Sequence, residues 1–207
     1  MLTYYRAIRE VADRIASAVN HSVETLRDGR IEQEPAMTDR MLGGIEESLQ
    51  DFRTRGIRWS AKTLTDRGRA SQEAHCGADF MGVLNIDLPD YRMSKGFLAQ
   101  AKLVRSRKVA DLAELKRQCT RMLNLSPDSF VFLYNPTGVR VVPASSVVAS
   151  CGDPSSLYSR SAKRFFEEHL QCFIGDRNIS SPTPGALEEL SRRWEARKTL
   201  LLSGEVD

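Results

Sequence analysis

The chain has 207 residues, 41% hydrophobic and 28% charged, with a formal net charge of +3. That size and balance suit one water-soluble domain with a buried core and helical additions, and exclude a fibrous or low-complexity chain. No window approaches the roughly 20 apolar residues of a membrane span, and an N-terminus bearing Arg6, Arg9, Glu10, Asp13 and Arg14 is unlike a secretory signal.

Residues 2–27 read as one long helix, because Leu2, Tyr5, Ile8, Ala12, Ile15, Val19, Val23 and Leu26 recur at steps of three and four. The stripe is narrow and resembles a coiled-coil seam, so it calls for a partner: the chain's own domain or a second copy. Asp28-Gly29 ends it, and Pro35 interrupts the linker that follows. A second helix is expected over about 39–54, capped by Thr38 or Asp39, with Met41, Leu42, Ile45, Leu49 and Phe52 inward. Glu46 flanks that inward face, and Gly43-Gly44 weakens the helix interior.

Residues 57–64 alternate with period two and predict a strand, followed by a polar loop over 65–76. Asp79–Asp87 predicts a second strand, with Phe80, Leu84 and Ile86 on one face and Asp79, Met81 and Val83 on the other. A turn over Leu88–Ser94 leads to a third strand, Gly96–Val104. A helix over 109–125 stops at Ser126-Pro127-Asp128. The apolar run Phe130–Tyr134 reads as a central strand, and Val139–Val142 as a further one. A loop over 150–158, a helix over 159–173 with Phe165, Phe166, Leu170 and Phe173 inward, and a last helix over 184–201 complete the chain. The organisation expected is an N-terminal helix and linker (1–35), an α/β core (36–150) and a C-terminal helical extension (151–207).

Three residues carry chemistry. Gln100 and Lys102 lie two apart on one strand and so share a face. If that strand forms a hairpin with the one beginning at Asp79, the carboxylate joins the amide oxygen and the ammonium. Such a set suits a divalent metal held against a phosphodiester: Mg²⁺ takes oxygen ligands and keeps several waters, and a lysine stabilises the charge that grows on phosphorus-bound oxygens.

Asp79…Gln100-Ala101-Lys102 resembles the PD-(D/E)XK nuclease superfamily, in the variant where Gln replaces the last acid, as in Mrr-like restriction enzymes. The resemblance covers roughly residues 38–142, and the expected element order α-β-β-β-α-β agrees with that superfamily's core. It implies a restriction-endonuclease-like α/β fold and a Mg²⁺- or Mn²⁺-dependent DNA endonuclease, the effector of a restriction or anti-phage defence system. Asp79, Gln100 and Lys102 would be its catalytic residues, with Asp79 and Gln100 on the metal. A second carboxylate is still needed. Glu46 matches a helix position where many relatives carry a glutamate. Glu73, in the loop before Asp79, reaches the site more easily and is preferred as the further metal ligand.

Other motifs are missing. No G-x-x-x-x-G-K-[ST] and no G-x-S-x-G occurs, and His75 and Cys76 read as incidental loop residues. Cys76, Cys119, Cys151 and Cys172 form no C-x-x-C pair, which argues against structural zinc and for free thiols in a reducing cytoplasm. Lys95, Lys102, Arg105, Arg107, Lys108, Lys116, Arg117 and Arg121 crowd the motif and the segment after it, so DNA is the expected partner, with a homodimer or a target-selecting protein supplying recognition. The alternatives are a catalytically silent subunit of the same fold that binds nucleic acid or a partner protein, and an RNA nuclease, although no RNA-binding module is legible.

Overall fold

The computed structural model of the chain describes residues 4–27, 33–65, 76–105, 108–180, 189 and 196–207. Helices α1 (Tyr5–Arg27) and α2 (Glu34–Ser48) precede the strands β1 (Phe52–Thr54), β2 (Ile57–Thr65), β3 (Phe80–Leu88), β4 (Tyr91–Arg105) and β5 (Lys108–Val109). Then come α3 (Leu112–Leu125), β6 (Ser129–Asn135), β7 (Gly138–Pro143), α4 (Ala144–Ala149), β8 (Arg160–Ser161), α5 (Ala162–Leu170) and β9 (Lys198–Val206). Eight strands form one mixed sheet in the order β1-β2-β9-β3-β4-β6-β7-β8, and β5 pairs the end of β4. Helices α1, α2 and α5 cover one face, α3 and α4 the other. The α/β class read from the sequence is the class observed.

The sheet centre is built from strands apolar on both faces. Phe80, Leu84 and Ile86 of β3 pack toward α1, α2 and α5, while Met81 and Val83 pack toward α3. β3 and β4 form an antiparallel hairpin whose turn is only Pro89-Asp90, Leu88 pairing with Tyr91. The third expected strand therefore starts five residues earlier than Gly96. Its odd-numbered residues Phe97, Ala99, Ala101 and Leu103 join the α1 face. Phe97 stands at right angles to Phe165, centroids 5.0 Å apart, in an aromatic cluster with Phe80, Phe130 and Phe132. Edge-to-face pairs of this kind add to simple area burial. Gly82 makes room for it, since a Cβ there would lie 2.3 Å from the Phe97 ring. From β4 the chain crosses through α3 to β6, which runs parallel to β4.

Three expectations are corrected, and one, the second below, is narrowed to one of its two alternatives. First, α2 begins at Glu34, and Pro35 belongs to its first turn, where a missing N–H costs nothing; Phe52 lies on β1 instead of closing this helix. Second, the α1 stripe from Ala7 to Val23 is buried against α2, α5 and β7 of its own chain, so it needs no second copy. Third, α5 ends at Leu170, and Phe173 is 76% exposed. Fourth, residues 198–201, assigned to a final helix, lie on β9, which is antiparallel to β2 and parallel to β3. Leucine is a good helix former, but hydrogen bonds to a strand on either side override a propensity difference of a few tenths of a kcal/mol. Among the described residues no helix is long and apolar enough to cross a membrane.

Candidate functional site

The site forms where β3 starts later than β4 ends. The β3–β4 ladder begins at Phe80, opposite Ala99. Beyond that point β4 keeps β6 on one side, paired from Leu98 to Leu103, and loses its β3 neighbour on the other. The N–H groups of Ala101 and Leu103 face this vacated edge. Two carboxylates take the place of the missing strand. Ala101 N–H donates to Asp79 Oδ2 at 3.0 Å, and Leu103 N–H donates to Glu34 Oε1 at 3.3 Å. Donors two residues apart on a strand are about 7 Å apart, so both acids line one short ledge.

Local sequence explains each placement. Gly77 has φ +77 and lies so close to α3 that a Cβ would meet the Gln118 carbonyl oxygen at 2.7 Å. Only glycine meets both conditions, and it turns the chain into Asp79. Asp79 N–H then donates to Ala99 O at 2.8 Å, so the residue brackets Gln100 with its backbone on one side and its carboxylate on the other. Glu34 opens α2, and an acidic residue in a first turn is favoured by the helix dipole. Thr38 of the same helix lies 3.2 Å from the buried Tyr134 hydroxyl on β6, which pins the helix start to the sheet.

Lys102 joins the two acids. Its Nζ lies 3.2 Å from Glu34 Oε2, and its side chain is 15% exposed. Its charge also acts on Asp79 and on the Cys119 thiol of α3. Burial pushes that thiol up to about 12, so Cys119 is no nucleophile. Burial likewise pushes the Asp79 carboxyl above its ordinary value. The Ala101 N–H and Lys102 oppose the shift, Glu34 adds to it, and Arg197 opposes it. Perturbed carboxyls with a nearby cation mark functional sites more often than surface ones do. Gln100 is 3% exposed and shares the α3 side of β4 with Lys102.

Of the expected trio, Asp79, just ahead of β3, lies within electrostatic range of Lys102 on β4, while Gln100 is buried on the same face of β4 as Lys102. Glu46 does not join them. It accepts Thr63 N–H at 3.0 Å on β2, and it lies twelve positions along the helix from Glu34, about 18 Å along the axis. Glu73, with its neighbour His75, lies outside the described residues. Two members went unnoticed in the sequence: Glu34, hidden by reading Pro35 as a linker residue, and Arg197, which precedes β9. The Glu-Pro pair at a helix start was the available signal for the first. The expected basic surface is smaller than its roll of residues. Lys95 is buried, Lys116 donates to Ser150 O, and Arg117 pairs with Glu114 at 2.6 Å. Arg121 is exposed, and Arg107 and the side chains of Arg105 and Lys108 lie outside the described part.

Among the described residues no three of His, Cys, Asp and Glu come together as a metal-binding group. The ledge offers two carboxylates, with the Gln100 amide buried on the adjoining face of β4. That is a hard, oxygen-only set, too lean for zinc and adequate for a magnesium ion that keeps most of its waters. No family model matches the chain, and neither a curated protein nor a solved structure matches it.

Proposed function

We propose that the chain is a metal-dependent DNA endonuclease with a restriction-endonuclease-like core, acting in a restriction or anti-phage defence system in the cytoplasm. One observation carries the reading: two carboxylates and a lysine, drawn from three separate segments, meet on a strand edge that β3 leaves unpaired, beside a buried glutamine. Asp79 and Gln100 would hold Mg²⁺ or Mn²⁺, with Glu34 in the place earlier considered for Glu73 or Glu46. When bound, such an ion offsets phosphate charge and makes a coordinated water more acidic. Asp79 and Glu34 repel each other across the ledge, and a cation between them relieves that repulsion.

The residues divide the work. Lys102 holds an ammonium group where a phosphodiester oxygen gains charge. Glu34 keeps that ammonium in place through Oε2, while Leu103 N–H fixes Oε1. Arg197, whose charge also acts on Asp79, would add to the attraction for the DNA backbone.

A second reading is a silent site in a subunit that binds nucleic acid or a partner protein. The observation favouring it is that both carboxylates already accept main-chain N–H groups of β4, a structural duty that persists without metal. Plasmid cleavage separates the two. The native chain, tested alone and with candidate partners, nicks or cuts DNA with Mg²⁺ or Mn²⁺ and stops in EDTA. Cleavage that survives in a folded Asp79→Ala protein contradicts the nuclease reading, and metal binding without any cleavage favours the silent one.

A further inference from the structure

A second cluster of reactive groups lies at the other end of β4. Lys95 is 2% exposed. Its Nζ donates to Ile174 O, and His169 Nδ1 lies 3.1 Å from that same carbonyl oxygen. The Cys172 thiol also acts on Lys95, as do the charges of Asp128 and, in the opposite sense, Arg177. On the far side of that sulfur sits the Tyr91 hydroxyl, within hydrogen-bonding distance. Cys172 itself stands at φ +68 in the turn that follows α5. The turn is fastened from both sides, by Gly175 N–H on Asp128 Oδ1 at 2.9 Å and by the Gly96–Asp176 bridge. Cys172 is half-buried, with the Tyr91 hydroxyl within hydrogen-bonding distance of its sulfur and the Lys95 side chain close enough to interact with it.

We propose that Cys172 is a peroxide-reactive thiol, activated by the Lys95 amine and the Tyr91 hydroxyl packed against its sulfur. The thiol proton passes to the Lys95 amine. The thiolate sulfur attacks one oxygen of hydrogen peroxide; an S–O bond forms and the O–O bond breaks. The departing hydroxide takes the proton back from the Lys95 ammonium and leaves as water. Sulfur loses two electrons, peroxide gains them, and the product is a sulfenic acid. A buried amine suits this shuttle. Burial pulls Lys95 below the ordinary lysine range, and the neighbouring thiol pushes it back up. His169, held neutral by burial with a pKa of about 3, does not compete for the proton.

The chain supplies its own control. Cys151 is exposed, Cys172 only half so. If exposure alone set the rate, Cys151 would oxidise first. The full-length protein is treated with equimolar hydrogen peroxide and dimedone, and adducts are followed by peptide mass spectrometry. Cys172 is expected to react about tenfold faster than Cys151 in the folded chain, with the preference lost in urea. A Cys172 rate equal to or below that of Cys151 in the folded chain overturns the proposal. Lys95→Met is expected to slow Cys172 at least threefold or so. Should that buried substitution fail to fold, Tyr91→Phe keeps the ring, removes the hydroxyl and bears the same expectation. An unchanged Cys172 rate in the folded variant removes the assigned activation.

Discussion

Strand β4 carries two lysines seven residues apart that live under different rules. Lys102 stands where β3 has stopped, beside Glu34 and within range of Asp79. Lys95 stands where β3 and β4 are fully paired, beside a carbonyl and a thiol, with the charges of Asp128 and Arg177 also acting on it. Burial pulls Lys95 below the ordinary lysine range, against the opposing pull of Cys172 and Asp128. The difference comes from a mismatch in strand length. Full pairing yields a dry aromatic core at one end of β4. An unpaired edge at the other end leaves main-chain donors that the Asp79 and Glu34 carboxylates satisfy.

The largest expected effect belongs to the packed end. Phe97→Ala removes a ring in contact with Phe80, Phe130, Phe132 and Phe165 and is expected to cost about 3–5 kcal/mol by denaturant titration. At the ledge, Lys102→Ala is expected to lower metal-dependent DNA cleavage at least about 10²-fold while the fold persists. Should Lys102→Ala unfold the chain as thoroughly as Phe97→Ala, the two ends would not differ as described.

Acid sharpens the contrast, because the two ends titrate with opposite signs. His169, buried among Phe97 and Phe165, keeps a folded pKa near 3, below its ordinary 6.5. As pH falls through 6.5 the unfolded chain takes a proton that the folded chain refuses. Stability therefore drops between about pH 6.5 and 3. His169→Gln lowers stability overall and flattens that limb. Asp79 runs the other way: its folded pKa lies above the ordinary 3.8, so the unfolded chain releases its proton first as pH rises. Stability is then lost as pH climbs from 3.8 through the folded value. Asp79→Asn is expected to be more stable than the native chain at pH 7, with the gap closing toward pH 3, as read from urea midpoints across pH.

Much of this was legible in the sequence, for identifiable reasons. Two-residue spacing put Gln100 and Lys102 on one face, and the apolar runs Phe80–Ile86 and Phe130–Tyr134 announced buried strands. The α1 stripe was plain too, although periodicity does not say which surface covers it. Glu34 was masked because proline reads equally as a helix start and as a linker. β9 was masked because Thr199-Leu200-Leu201-Leu202 has no alternation: a strand buried on both faces looks like a helix segment. Its pairing with β2 and β3 is non-local, and Arg197 was lost with it. The Cys172 cluster was invisible for the same reason, since Tyr91, Lys95 and Cys172 meet only when α5 returns to the sheet.

The most direct test of the account is calorimetric titration of Mn²⁺ into the native chain, Asp79→Asn, Glu34→Gln and Glu46→Gln. The account predicts binding by the native chain and by Glu46→Gln, with at least about tenfold loss in Asp79→Asn and Glu34→Gln. Equal binding in all four, or loss in Glu46→Gln alone, would contradict a metal site on the β4 ledge.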